Sequence, residues 1–221
     1  MRRVYYGIDP EPFAAARAAS DEQRQALRSE FGFGRDDVVF VCVARFAAQK
    51  AHDVLLQALA RARLRSQRVR LLLVGGDPFG DGRERTETLA RELGLVEDGA
   101  CVFAGIRRDV PRILGASDVF VMASLWEGLG LVFLEAMAAS LPVVATHVSA
   151  VPEVVDDGVT GRLVPPSDAD AMADALVELA CDEELRARLA AAGPALVAER
   201  FDLDAMVENT LAVYREIAPE A

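Results

Sequence analysis

The sequence has few of the residues from which metal centres and disulfide frameworks are built: three cysteines and two histidines among 221 residues. Cys42, Cys101 and Cys181 are widely spaced, odd in number and without a C-x-x-C pair. That pattern excludes a disulfide framework and a structural zinc site, and predicts buried, reduced thiols. His52, near a helix start, and His147, at a strand end, read as structural side chains, with His147 placed to line a cleft. No Ser/His/Asp order, metal-ligand cluster or Walker lysine loop can be assembled. Positive charge is also scarce. Lys and Arg number 24 against 35 Asp and Glu, a net charge of −11, which argues against nucleic acid or an anionic membrane as the main partner. A phosphorylated ligand then needs a local basic pocket. Long apolar runs are missing as well. The N-terminal "MRRVYYGIDPEPF" lacks a signal-peptide core and no segment approaches 18 apolar residues, so no direct membrane insertion is expected and the expected location is cytoplasmic.

What is present is a core. Hydrophobic residues make up 52% of the chain, enough for one full-sized globular domain with helical extensions. Short, nearly continuous apolar runs at 38–44, 69–76, 100–105, 119–124 and 142–147 alternate with helical patterns near 51–65, 83–93, 109–116 and 130–140. Strands of that kind are buried on both faces, which predicts an α/β fold: a Rossmann-like parallel sheet with helices on both faces. A short sixth strand follows Gly158. The glycine-rich "VGGDPFGDG" lacks G-x-G-x-x-G spacing and reads as a loop. Residues 168–217 read as Ala-rich C-terminal helices, with Asp168 as an N-cap and Gly193-Pro194 expected to break or kink one of them. Three segments follow: 1–37, a junction with a helical stretch at 20–31; 38–200, the Rossmann-like domain; and 201–221, a terminal amphipathic helix.

Ligands of open α/β sheets bind outside the carboxyl ends of the strands. After the first strand, Arg45 and Lys50 stand near a helix start, where free N–H groups and the helix dipole favour an anion such as a diphosphate. The alternative is a pair of solvated surface cations. After the fourth strand comes "LWEGLGLVFLEAMA". Gly128 and Gly130 open the backbone there, Glu127 falls in the loop and Glu135 on the following helix, at the border of its apolar stripe. A carboxylate on that border is costly without a partner. Two ligand hydroxyls would satisfy it; so would an arginine. After the third strand, Gly105 turns the chain, and Ile106 and Arg107 can offer backbone groups to a base.

Together these pieces resemble the C-terminal, donor-binding domain of family 4 retaining glycosyltransferases, one half of a GT-B fold. "YYGIDPEPF", "ARFAAQKAHDVLLQAL", "EGLGLVFLE" and "VPEVVDDGVTGRLVPPSD" are each similar to a family segment, in the family's order and after the matching strands. The resemblance implies that Arg45 and Lys50 hold the diphosphate of a nucleotide sugar and that Glu135 binds the ribose diol. Glu127 would contact the donor sugar, with N–H groups around Gly128, Leu129 and Gly130 near sugar and phosphate. The implied catalytic set is Glu127, Arg45 and Lys50, with Gly105, Ile106 and Arg107 completing the donor site. No metal or other cofactor is implied.

Departures from the family pattern are Ala51 for a glycine, Ala123 for a proline, Tyr6 for an asparagine and Ser149-Ala150 for a glycine pair. The family's N-terminal acceptor-binding domain would precede "YYGID". Without it, Leu211, Val213 and Tyr214 of the terminal helix are expected to be exposed or packed on another copy of the chain. The competing functions are a non-catalytic nucleotide-sugar binding module and a GT-B phosphorylase or epimerase fragment.

Overall fold

The structure, a computed structural model, describes residues 3–78 and 80–217. Its centre is a six-stranded sheet of β1 (Val38–Val43), β2 (Val69–Val74), β3 (Cys101–Gly105), β4 (Val119–Met122), β5 (Val143–Thr146) and β6 (Gly161–Val164). The order is β3-β2-β1-β4-β5-β6 and every neighbouring pair is parallel. The strands form because their side chains are apolar on both faces: all of β4 and β5, and all but the last residue of β1, are buried. The expected strands overrun the observed ones by one to two residues, mostly at the carboxyl ends. The chain leaves the sheet there into loops.

Ten helices occur among the described residues: α1 (Glu11–Arg17), α2 (Asp21–Glu30), α3 (His52–Arg65), α4 (Gly82–Glu92), α5 (Val110–Ala116), α6 (Leu131–Ala138), α7 (Val151–Val154), α8 (Ala169–Cys181), α9 (Glu183–Arg200) and α10 (Leu203–Ile217). On one side α3 packs on α4 and α8; on the other α1 and α2 pack on α5, and α6 on α9. The Phe120 ring of β4 meets Phe133 of α6 edge-on, with centroids 5.7 Å apart. Ser20 and Gln23 form a capping box at α2, and Asp168 accepts N–H groups at the start of α8.

Three expectations need correction. The helix carrying Gly193-Pro194 is not broken there, because α9 runs through both residues. A Cβ on Gly193 would sit 2.9 Å from the Met137 carbonyl oxygen, so glycine lets α9 lie close on α6. Leu189 and Val197 are buried on either side, and their packing offsets the hydrogen bond that Pro194 removes, a loss of roughly 3 kcal/mol in a helix interior. Cys42 and Cys101 are buried but Cys181, at the end of α8, is exposed. On α10, Leu211 and Tyr214 are exposed whereas Val213 is half-buried.

Residues 1–37 had only one expected helix. Their described part has two, and Ile8, Leu27 and Phe33 join the main core. The two ends of the domain also meet: Ile8 N–H donates to the Phe201 carbonyl at 3.0 Å, and Tyr5 packs edge-on against Phe201. Among the described residues no helix is long and apolar enough to cross a membrane.

Candidate functional site

A sheet ordered 3-2-1-4-5-6 reverses direction between β1 and β4, and the crevice at that switch point is where the loops after the two strands part. The loop after β1 carries Arg45, exposed, and then a 3-10 turn, Ala48–Lys50. Ala51 follows at φ 43°, in the left-handed region, and α3 starts with no side chain capping it. The loop after β4 carries Ser124 to Gly130. Gly130 has φ 71° and an added Cβ would meet the Phe133 ring at 2.7 Å, so only glycine turns the chain into α6 here. The start of α6 also has no side-chain cap. Two helix N-termini therefore open on the same sheet edge with N–H groups that no side chain has claimed.

The loops are joined across the crevice. Lys50 Nζ lies 2.5 Å from Glu127 Oε1, and Ser124 Oγ donates to the same oxygen at 2.5 Å. The side chains of Lys50 and Glu127 are 12% and 5% exposed, so this ion pair is nearly out of water and each member depends on the other. Met122 Sδ lies 3.6 Å from Lys50 Nζ. Around them, Leu125 N–H donates to the Gln49 carbonyl at 2.8 Å, Gln49 Nε2 to the Trp126 carbonyl at 2.7 Å, and Thr146 Oγ1 to the Ser124 carbonyl at 2.5 Å. Glu127 N–H points to Ser149 Oγ at 3.4 Å. Gly128 is exposed and Leu129 half-buried against the core.

Glu135 is placed differently. It shares the least buried face of α6 with Leu131 and Val132, while Phe133, Leu134, Ala136 and Met137 face the core. Its carboxylate makes no hydrogen bond or ion pair with any described residue, and burial raises its pKa above the ordinary carboxylate value. The arginine that the sequence left open as an alternative partner is not found among the described residues. Glu135 is a half-buried acid that the described residues leave unsatisfied.

Gly105 turns the chain as expected, with φ 68°. Ile106 is 80% exposed above it. The Arg107 side chain is committed elsewhere: it pairs with Asp109 at 2.8 Å and Glu30 at 2.6 Å and lies over the Phe31 ring. Hydrogen bonds to Asp109, then to Glu30, raise its pKa. The side chain is therefore engaged, and the backbone groups are what Arg107 has to offer a ligand.

His52 behaves as the structural side chain expected. His52 is buried and stacked on Phe46 at 4.8 Å, and burial, then the charge of Lys50, lowers its pKa to about 4. His147 is exposed after β5. Burial pushes the Cys42 thiol up to about 12, so it is no nucleophile. Among the described residues no three His, Cys, Asp or Glu side chains are grouped to hold a metal.

Sequence reasoning missed Ser124, Gln49 and Thr146. A signal existed only for Ser124, the polar residue closing the apolar run "VFVMAS". Ser149 adopts φ 47°, so the serine that replaces the resembled glycine keeps a glycine-like backbone and adds a hydroxyl next to Glu127.

With this geometry in place, the chain can be compared with known proteins. A family model described as glycosyl transferases group 1 matches residues 37–182. The chain is 36% identical to a D-inositol 3-phosphate glycosyltransferase of Saccharomonospora viridis, an alignment covering 98% of this chain and 50% of that protein. It is 34% identical to a GDP-mannose-dependent alpha-(1-6)-phosphatidylinositol monomannoside mannosyltransferase of Mycolicibacterium smegmatis, covering 85% and 49%. The chain thus spans about half the length of the curated relatives it matches. Among solved structures, Anabaena HepE in complex with UDP and glucose superposes with a TM-score of 0.87 at 26% identity, over 96% of this chain and 56% of that one. The C-terminal domain of a group 1 family glycosyl transferase from Francisella tularensis superposes with a TM-score of 0.76 at 27% identity, over 89% of this chain and all of that one.

Proposed function

The chain belongs to the glycosyl transferases group 1 family, and from that premise we propose that it is the donor half of a retaining glycosyltransferase. It binds a nucleotide-diphosphate sugar for transfer to an acceptor held by an N-terminal domain. The observation that carries this reading is Glu135: a half-buried carboxylate without a partner among the described residues, beside the switch-point crevice, suits a ribose diol, whose two hydroxyls donate to its two oxygens. The diphosphate lies at the mouth of the crevice, against Arg45, Lys50 and the N-termini of α3 and α6. An ammonium has three protons. Glu127 accepts a hydrogen bond from one of them and holds the Lys50 side chain in place, leaving the others for phosphate oxygens. The base extends toward the backbone of Gly105 to Arg107, two strands away, about 10 Å at the usual strand spacing.

In the transfer step the bond between the sugar's anomeric carbon and the phosphate oxygen breaks, and the electron pair leaves with the diphosphate. The acceptor oxygen bonds to the same face of that carbon and its proton passes to the leaving phosphate. Arg45, Lys50 and the helix N-termini stabilise the charge that develops there. Glu127, whose Oε2 carries no hydrogen bond among the described residues, receives a hydroxyl of the donor sugar. No metal is required in this scheme, since cations of the chain do that work.

Calorimetry with UDP, GDP and ADP tests the reading. At least one should bind with a Kd of roughly micromolar to millimolar size, because a single half-cleft leaves part of the ligand in water. EDTA should leave that affinity unchanged. Silence from all three nucleotides at millimolar concentration overturns the donor-site assignment.

A further inference from the structure

At the opposite edge of the sheet, where β1 and β4 begin, arginines gather on a chain whose net charge is −11. A cleft of about 170 Å³ is lined by Asp21, Arg24, Gln25, Arg28, Arg35 and Asp118. Arg24 also walls an adjoining cleft of about 120 Å³ together with Arg112. Arg28 is buried and fixed: Nε donates to the Ala116 carbonyl at 2.7 Å, Nη1 reaches the Asp37 carbonyl at 3.5 Å, and Nη2 lies 2.7 Å from Asp118 Oδ1. Asp118 is itself fixed, since its other oxygen accepts the Val39 N–H at 2.7 Å. Arg17 reaches the carbonyls of Gly115 and Ser117 at the end of α5. These two arginines therefore have a structural task, closing the C-terminal carbonyls of α5.

Arg24 has none. Its guanidinium makes no hydrogen bond or ion pair among the described residues, and its Nε is buried without an acceptor. A buried charged donor left unsatisfied is costly. Here the cost is raised by like charges, and burial and then the charge of Arg24 lower the Arg17 pKa. The nearby acids do not balance the group. Asp118 is spent on Arg28 and Val39, Glu22 is hydrogen-bonded to Ser20 and attracts Arg35, and Asp21 is an exposed residue at the rim.

We propose that this cleft binds a phosphate dianion, free or carried on a small molecule, held by Arg24, Arg28 and Arg35. Phosphate oxygens in the cleft give Arg24 the ion pair it lacks among the described residues, and the exposed Arg35 closes over a further oxygen. The site is separate from the donor crevice, because α2 and Asp118 lie at the amino ends of the strands whose carboxyl ends carry Lys50 and Glu127.

Thermal unfolding of the chain with inorganic phosphate, and separately with glycerol phosphate, tests the site against chloride at equal ionic strength. At ten times its Kd the better ligand should raise Tm by roughly 3 °C, and the larger response identifies free or esterified phosphate. The rise should persist in Lys50→Ala, which disables the donor crevice. In Arg24→Gln, and in Arg35→Gln at an exposed position that leaves the fold intact, affinity should fall roughly tenfold. No rise in the parent chain, a rise matched by chloride, or a rise lost in Lys50→Ala but kept in Arg35→Gln overturns the proposal.

Discussion

Glu127 and Glu135 are eight positions apart on one loop-and-helix segment, yet their surroundings are opposite. Glu127 is the more buried, and Lys50 and Ser124 already serve one of its oxygens. Glu135 is the more open and no described residue serves it. Burial alone therefore does not mark a ligand-binding acid. A missing partner does, because a folded chain satisfies buried polar groups wherever no ligand will do so.

The comparison breaks most visibly if Glu127 is removed. Glu127→Ala leaves the Lys50 ammonium nearly buried without a counter-charge, and stability should fall by about 3 kcal/mol or more, read as a lower midpoint in urea. Glu135→Ala should produce no such loss. Equal destabilisation by both would mean that Glu135 has a structural partner after all.

The two neighbourhoods should also answer to pH with opposite sign. His52, next to Lys50, has its pKa lowered to about 4. The unfolded chain takes up that proton near pH 6.5 and the native chain does not, so stability present above pH 6.5 is lost as pH falls toward 4, about 3 kcal/mol in all. Glu135 has a raised pKa. Its native form holds the proton more tightly, so its contribution is favourable at low pH and is lost as pH rises through the folded value. Denaturant midpoints followed from pH 7 to 4 should show a steep acid loss that His52→Leu flattens, and a small opposing gain that Glu135→Gln removes.

Binding sharpens the contrast further. Glu135→Gln should weaken UDP or GDP by roughly 1 to 3 kcal/mol, the worth of hydrogen bonds to a charged acceptor, with Tm unchanged or slightly raised. Calorimetry on folded protein measures it. A lower Tm with unaltered affinity would transfer Glu135 to the structural class that Glu127 occupies.

The smallest effects concern Ala51 and Ser149, which hold left-handed backbone where the resembled family has glycine. Ala51→Gly and Ser149→Gly should each change stability by about 1 kcal/mol or less, with relief of strain opposed by the entropy of an unfolded glycine. For Ser149→Gly the loss of the hydroxyl near Glu127 N–H adds a second effect. If it weakens the nucleotide sugar and not the free nucleotide, that hydroxyl positions the Glu127 loop.

Much of this molecule is legible without coordinates. Continuous apolar runs announce β1, β2, β4 and β5, and amphipathic stretches announce α3 and α8, because each element's burial is written in its own residues. Helix α1 was missed: its "EPFAAAR" buries no residue completely and shows little periodicity. The course of α9 through Pro194 was also illegible, since local preference there is overruled by packing on Met137.

The candidate site divides the same way. Residue type and order along the chain were enough to single out Arg45, Lys50, Glu127 and Glu135, because loops after parallel strands converge on one edge whatever the details of packing. That Lys50 and Glu127, 77 residues apart, bind each other, and that Glu135 and the Arg24 guanidinium find no partner among the described residues, were decided only by the tertiary structure. Partnership between charges depends on distances of a few ångströms, and those are set by how helices and loops settle on the sheet rather than by any pattern within a single segment.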